Sequence, residues 1–168
     1  LSFMREWMAL VESGSGERGI FNREASKRQA AKNGRRNSDF DFGTNPCSEI
    51  ILRPHQFCNL TEVVIKEHDT DEDLDRKVRL ATILGTAQAT LTDFPYLRKI
   101  WKYNTQEERL LGVSLTGIMD NVLTNGKDEY LCDRLRMLRQ VAVDTNKEYA
   151  KKWKIPQSTA ITCVKPSG

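Results

Sequence analysis

Two long helical patterns alternate with short apolar runs along this chain of 168 residues. Residues 71–91 and 128–153 repeat apolar side chains at helical spacing, and Pro95 and Pro156 follow their ends. The short runs with strand character are residues 50–52, 57–65, 110–115 and 158–164. Strands that alternate with helices pack as an α/β fold with a mainly parallel sheet, which is the fold class that this order predicts.

The expected buried stripes follow from the same spacing. On the first long helix they are Leu74, Val78, Ala81, Leu84 and Leu91, and on the second Leu131, Leu135, Leu138, Ala142 and Tyr149. Before them, we expect a helix over residues 2–12 that Ser2 caps and Gly14 ends, and a helix over residues 23–32. Residues 19–22 are interpreted as a short strand or turn, and residues 35–39 as a polar loop.

Composition excludes several classes of protein. Lys and Arg number 26 and Asp and Glu 23, so the net charge of +3 does not indicate nucleic-acid binding. The basic stretch 23–36 lacks interleaved aromatic residues, and we interpret it as a solvated face. Trp101 and Tyr103 are interpreted as aromatics under a surface turn. No apolar run reaches the ~18 residues of a membrane span, and we see no signal or transit segment, so a cytoplasmic protein without membrane contact is expected.

Four cysteines are too few for a disulfide scaffold, so reduced thiols are expected. A zinc site from Cys47, His55 and Cys58 lacks an obvious fourth ligand, and no resident metal is expected. Cys132 is interpreted as a packing residue of the second long helix. Cys163 comes just before the last segment of the chain and has no role that we can assign.

The segment 45–49 is the most informative for chemistry. Pro46 favours extended geometry at Asn45, and in an extended run Asn45, Cys47 and Glu49 share one face. An amide, a thiol and a carboxylate would then meet in one small volume. There the carboxylate can act as a general base and the thiol as a nucleophile or a source of a sulfur radical. The alternative interpretation is a turn that contains a buried, inert cysteine.

Cys58 follows Cys47 by eleven positions. A tight turn over residues 53–56 would form a hairpin that places Cys58 opposite Ile51. Cys47 would then lie about 13 Å along the strand from Ile51, the position opposite Cys58, whereas a disulfide needs Cα atoms within about 7 Å. The hairpin therefore argues against a disulfide between Cys47 and Cys58. The alternative for Cys58 is a buried small hydrophobic residue.

Five segments resemble motifs of ribonucleotide reductase catalytic subunits, in that family's order. They are residues 16–23 (Gly-Glu-Arg-Gly-Ile-Phe-Asn-Arg), 45–50 (Asn-Pro-Cys-Ser-Glu-Ile), 57–64 (Phe-Cys-Asn-Leu-Thr-Glu-Val-Val), 109–117 (Arg-Leu-Leu-Gly-Val-Ser-Leu-Thr-Gly) and 165–168 (Lys-Pro-Ser-Gly). The first departs from the family at Arg18, where proline is usual. The resemblance implies a ten-stranded α/β barrel with Cys47 on a central finger loop, and residues 1–168 as a fragment of that domain, incomplete at both ends.

The resemblance also implies a role for each site residue. Cys47 would be the thiyl radical that removes hydrogen from the ribose 3′ carbon, and Glu49 would take the 3′-hydroxyl proton. Asn45 would hold the ribose hydroxyl and orient Glu49. Cys58 would be one of two reducing thiols, and its partner lies outside this segment. The substrate phosphate would be bound by Pro166, Ser167 and Gly168.

The short step from Cys47 to Cys58 resembles the adenosylcobalamin-dependent class II enzymes, of the cyanobacterial and phage type. That class implies a cobalt cofactor, a ribonucleoside di- or triphosphate substrate, thioredoxin or another dithiol as external reductant, and nucleotide effectors bound outside this fragment. The isolated fragment is expected to be inactive. Two alternatives stay open: a class I catalytic subunit with a separate metal-bearing subunit, and a degenerate reductase-like binding protein.

Overall fold

The computed structural model describes residues 1–15 and 19–166. Its helices are α1 (Ser2–Ser13), α2 (Arg23–Ala31), α3 (Asp71–Gln88), α4 (Lys99–Glu108) and α5 (Leu131–Trp153). Its strands are β1 (Gly43–Thr44), β2 (Ile51–Leu52), β3 (Asn59–Val64) and β4 (Leu111–Thr116), and a 3-10 turn covers Ile118–Asp120. Among these described residues, no helix has the length and apolar character to cross a membrane.

The strands form two small sheets. β3 and β4 pair in parallel, from Asn59 opposite Leu111 to Val64 opposite Thr116, which confirms the α/β class with parallel pairing. β1 and β2 pair antiparallel. The predicted strand at residues 158–164 is reduced to a bridge between Thr162 and Val113 on the free edge of β4. The ten-stranded barrel implied by the resemblance stays a prediction.

One face of the parallel pair carries the hydrophobic core. Val63 of β3, Ile65 directly after it, and Leu111 and Val113 of β4 are buried against α3 and α5. A capping box at Thr70 begins α3. The Thr70 hydroxyl accepts from the Asp73 backbone N–H, and the Asp73 carboxylate accepts from the Thr70 backbone N–H. The helix therefore begins where the sequence predicts, and Leu74, Val78 and Ala81 turn towards the core.

The predicted stripes are only half correct. Leu74, Val78 and Ala81 are buried, but Leu84 is 65% exposed and Leu91 is 71% exposed. The buried face of α3 continues instead through small residues such as Thr82, Gly85 and Thr86. A Cβ added at Gly85 would already be in van der Waals contact with Leu111 Cδ2, at 3.4 Å. On α5, Leu138 and Ala142 are buried, Leu131 and Tyr149 are half-buried, and Leu135 is exposed.

Three other expectations were wrong. Leu1, not Ser2, is the N-cap residue of α1, although Gly14 ends that helix in the left-handed conformation as predicted. α4 replaces the surface turn expected around Trp101 and Tyr103. Residues 53–56 do not close a hairpin, because β2 and β3 belong to different sheets.

A buried polar network joins α3, α5 and the segment after α5. The Asn146 amide donates to Thr86 Oγ1 and to Ser158 Oγ, both at 3.0 Å. Its carbonyl oxygen accepts from the Ser158 backbone N–H at 3.0 Å. All three residues are at most 1% exposed, so each polar group depends on these partners. The network fixes where the chain turns back towards β4.

Asn146→Ala is expected to destabilise the protein by about 3 kcal/mol, because it leaves several buried polar groups unpaired. Gln140→Ala, on the exposed side of the same helix, should change stability by no more than about 0.5 kcal/mol. Denaturant unfolding of the two variants beside the unchanged protein measures the difference. Equal stability of the two variants would contradict the role given to Asn146.

Candidate functional site

The segment predicted to be active forms the loop between β1 and β2. The Asn45 backbone N–H donates to the Ile50 carbonyl at 3.3 Å, and the Asn45 side-chain oxygen accepts from the Ile50 N–H at 3.0 Å. The Ser48 N–H donates to the Asn45 carbonyl at 3.0 Å, and Ser48 has a φ of 65°. A closed turn therefore replaces the predicted extended run, because the Asn45 side chain bonds the backbone across it. Cys47 is exposed in this turn.

Glu49 points inward from the same loop. It is half-buried, and its Oε2 atom is buried without a hydrogen-bond partner among the described residues. It lines a cavity of about 710 Å³ together with Ser114 and Cys163. A buried carboxylate oxygen without a partner is costly, and the place of Glu49 in the cavity wall puts this carboxyl group next to space that a ligand can occupy.

Two thiols lie in the electrostatic field of Glu49. Burial, and next the charge of Glu49, raise the pKa of the Cys58 thiol. Burial, and next Glu49 and Cys58, raise the pKa of Cys163 to about 11. Both cysteines are half-buried, so they stay protonated near neutral pH and can give up hydrogen more readily than they can attack as thiolates.

Gly112 allows the loop to approach the parallel sheet. A Cβ added there would lie 2.4 Å from Leu60 Cδ2, 3.0 Å from Ile50 Cδ1 and 3.1 Å from Cys163 Sγ. These three side chains come from β3, from the loop and from the segment after α5. They meet over Gly112 on the face of the sheet opposite the hydrophobic core. The candidate site is this face.

Cys58 and Cys163 belong to segments on opposite edges of β4. Cys58 precedes Asn59, which lies opposite Leu111, whereas the Cys163 N–H donates to the Val113 carbonyl on the other edge of β4. Both segments flank β4, and Cys58 is near enough to Cys163 to contribute to the charge effects that raise the pKa of Cys163. All four cysteines are free thiols.

The other predicted positions are only partly described. The Lys165 N–H donates to Ser114 Oγ at 3.2 Å, and its ammonium lies 4.0 Å from Glu62 Oε2. Pro166 is exposed, and Ser167 and Gly168 of the predicted phosphate segment lie outside the described residues, as do the first residues of segment 16–23. Ser114 thus anchors the beginning of the segment on the site face.

Two cysteines behave differently from expectation. Cys132 is exposed on α5, so its interpretation as a packing residue was wrong. Cys163 shares the cavity with Glu49, which its sequence context alone did not reveal. The sequence did hold one signal: Cys163 lies two residues before Lys165, where the segment that resembles a phosphate-binding loop begins. Within the described ranges, no three His, Cys, Asp or Glu side chains cluster closely enough to hold a metal ion.

Comparison with curated proteins finds adenosylcobalamin-dependent ribonucleoside-triphosphate reductases. That of Lactobacillus leichmannii is 30% identical over 92% of this chain and 24% of its own length. That of Lacticaseibacillus paracasei is 34% identical over 67% of this chain and 15% of its own length. A probable enzyme of the same name from Dictyostelium discoideum is 27% identical over 76% of this chain and 16% of its own length. This chain thus spans about a quarter or less of these relatives.

Comparison with solved structures agrees. A crystal structure of a B12-dependent (class II) ribonucleotide reductase matches with a TM-score of 0.63 and 25% identity, over 75% of this chain and 21% of that one. No protein-family model matches the chain. Sequence and structure comparisons therefore lead to the same class of enzyme by separate routes.

Glu49→Gln is expected to lower the pKa of Cys163 from about 11 towards its ordinary value of 9.0, by removing the largest charge effect on that thiol while burial remains. Because the thiolate is the reactive form, alkylation of Cys163 should begin at lower pH in the variant. Glu62→Gln is the matched control, since Glu62 has a smaller effect on the same thiol. Rates of iodoacetamide labelling against pH, read by mass spectrometry, measure the shift. An unchanged Cys163 profile in Glu49→Gln would show that the two groups do not interact.

Proposed function

We propose that this chain is a catalytic segment of an adenosylcobalamin-dependent ribonucleotide reductase. The observation that carries the proposal is the place of Glu49 on the loop that bears Cys47. Glu49 lines a cavity, and its buried Oε2 atom has no hydrogen-bond partner among the described residues. The similarity to curated reductases whose names include adenosylcobalamin and a ribonucleoside triphosphate, and to a B12-dependent class II structure, supports the same reaction. On this proposal the substrate is a ribonucleotide and the product a 2′-deoxyribonucleotide.

Cys47 is the residue that we expect to begin the chemistry. Its exposed position in the turn leaves the thiol accessible from outside the described residues, which fits a radical source that binds beyond them. When bound, adenosylcobalamin would supply that radical by homolysis of its cobalt–carbon bond. Cys47 would then lose its thiol hydrogen atom and become a thiyl radical, which removes the hydrogen atom from the ribose 3′ carbon.

Glu49 would act as the general base. Its inward-facing carboxylate accepts the 3′-hydroxyl proton, and the 2′-hydroxyl leaves as water after taking a proton from a reducing thiol. Asn45 holds the loop closed through Ile50, and so fixes the direction of Glu49.

Cys58 would supply reducing equivalents. Cys58 and a second thiol outside this chain together give two electrons and two protons and form a disulfide. One disulfide forms for each ribonucleotide reduced. Cys47 returns its hydrogen atom to the 3′ carbon and recovers its thiyl state. The raised pKa of Cys58 suits this role, because the thiol keeps its hydrogen until the substrate demands it.

The remaining partners follow from the same chemistry. The disulfide at Cys58 must be reduced by thioredoxin or another dithiol, which also points to the reducing cytoplasm. Substrate phosphate would bind at Pro166, Ser167 and Gly168, which follow Lys165 along the chain. Nucleotide effectors would bind elsewhere in the full-length protein. The barrel and the finger-loop position of Cys47 belong to this proposal.

The test is reduction of a ribonucleoside triphosphate by the full-length protein with dithiothreitol, with and without adenosylcobalamin. We expect deoxynucleotide only when the cofactor is present. Cys47→Ala should lower turnover by at least about three orders of magnitude, since it removes the group on which every later step depends. Cys132→Ala, which removes an exposed thiol on α5, is the matched control and should keep full activity.

Cys58→Ser is expected to stop multiple turnover with dithiothreitol, because the cysteine pair cannot be completed. Deoxynucleotide formation followed over time by chromatography distinguishes this failure from slow chemistry. A fully active Cys58→Ser protein would limit Cys58 to packing. Activity that requires a separate metal-bearing subunit instead of cobalamin would assign the chain to class I, and no reduction under either condition would favour the binding-protein alternative.

A further inference from the structure

We infer that Glu108 is a positioning residue for the reaction: its buried carboxylate holds the Cys47 loop and the segment that leads to Cys163 in place over the sheet. This inference rests on the proposed function. Glu108 is the last residue of α4 and is 3% exposed. It touches no predicted site residue directly, so it would act through the residues that it binds.

The first arm of this arrangement runs to the Cys47 loop through Arg36. Arg36 Nε donates to Glu108 Oε1 at 2.8 Å, and Arg36 Nη2 donates to Oε2 at 3.0 Å, which is a two-point ion pair. The third nitrogen of Arg36, Nη1, donates to the carbonyl of Ile51 at 2.8 Å. Ile51 is the first residue of β2 and comes two positions after Glu49, so this arm fixes the end of the loop.

The second arm runs to the segment between β2 and β3. Gln56 Nε2 donates to Glu108 Oε2 at 2.5 Å, and Gln56 Oε1 accepts from the Arg53 N–H at 2.9 Å. Arg53 Nε lies 3.6 Å from the same carboxylate oxygen. Cys58 follows two residues after Gln56, so Glu108 also fixes the approach to the predicted reducing thiol.

The third arm runs to the segment that ends at the predicted phosphate site. Thr159 Oγ1 donates to Glu108 Oε1 at 3.3 Å, and the Thr159 N–H donates to the Glu108 backbone carbonyl at 3.0 Å. Thr159 precedes Cys163 by four residues along the chain. One carboxylate thus joins three segments that are separate in sequence and that converge on the candidate site.

Charge explains why this position needs a carboxylate. The guanidinium groups of Arg36 and Arg53 are each about 95% buried, and Glu108 is the buried acid between them. A neutral replacement would leave buried Arg36 without its counter-ion and Arg53 with only the exposed Glu107, and the repulsion between the two cations would move the loop they hold. Burial is the largest single effect and opposes ionisation of Glu108, but the hydrogen bonds and charge of Arg36, with smaller effects of Gln56 and Arg53, together outweigh it and lower the pKa of the carboxyl.

Three variants of the full-length protein test the inference. Glu108→Gln removes the charge, Glu108→Asp keeps it on a shorter side chain, and Glu107→Gln is the matched control. Glu107 is the preceding residue of α4; its side chain is 64% exposed and pairs with Arg53 only from the surface. We expect the single-turnover rate constant to fall about 100-fold in Glu108→Gln and about tenfold in Glu108→Asp, with less than about a twofold change in Glu107→Gln.

Two readouts separate positioning from loss of folded protein. The amplitude of a single turnover reports the folded fraction, whereas its rate constant reports the geometry of the molecules that react. Independently of activity, N-ethylmaleimide should label Cys58 about tenfold faster in Glu108→Gln, while exposed Cys132 should react at an unchanged rate.

Each outcome decides the inference. If Glu108→Gln does not fold, Glu108→Asp decides it by the same two measurements. A folded Glu108→Asp protein with the unchanged rate constant and unchanged Cys58 labelling overturns the inference. If the unsubstituted protein reduces no ribonucleotide, the proposed function fails on its own, and faster Cys58 labelling still supports Glu108 as the group that positions this segment.

Discussion

The buried carboxylate of Glu108 is the constraint on which the arrangement of the site face depends. Its two oxygens receive hydrogen bonds from Arg36, Gln56 and Thr159, and Arg53 lies beside them. A buried ion pair gains little net stability, because removing both charges from water costs nearly as much as their attraction returns. What such a pair does achieve is a single geometry, since every polar atom must find its partner. Here that geometry brings separate segments together beside β4.

The parallel pair of β3 and β4 divides the chain into a core face and a chemical face. Side chains that alternate along each strand place Val63 and Val113 in the core with α3 and α5. The opposite face has Gly112 at its centre, and the missing side chain leaves room for Ile50 of the loop and for Cys163. Glu49 enters the cavity beside them because Asn45 closes its loop onto Ile50.

Local periodicity was enough to predict the long elements. α3, α5, β3 and β4 each repeat apolar residues over enough length to show their period, and the structure confirms them. α4 was missed because its only buried residues are Thr105 and Glu108, so it has no apolar stripe. β1 was also missed, since its two residues are too few for an alternating pattern, whereas β2 lies within the predicted run 50–52.

The site was predictable as a set of residue types but not as a geometry. The motif around Cys47 indicated the chemistry. The predicted extended run was wrong, because the Asn45 side-chain oxygen accepts a hydrogen bond from the Ile50 N–H and so stabilises a turn. Arg36 and Glu108 are 72 positions apart, so nothing in local sequence links them. The register that separates Cys58 from Cys163 likewise depends on pairing with β4, which no hairpin between β2 and β3 could reveal.

The most direct measurement is the state of each cysteine after one turnover of the full-length protein without external reductant. Alkylation and mass spectrometry would follow the reaction with adenosylcobalamin and a ribonucleoside triphosphate. The account predicts that Cys58 is lost as a free thiol in proportion to the deoxynucleotide formed, while Cys132 and Cys163 stay free. Deoxynucleotide formation with Cys58 still fully alkylated, or with Cys163 oxidised in its place, would contradict it.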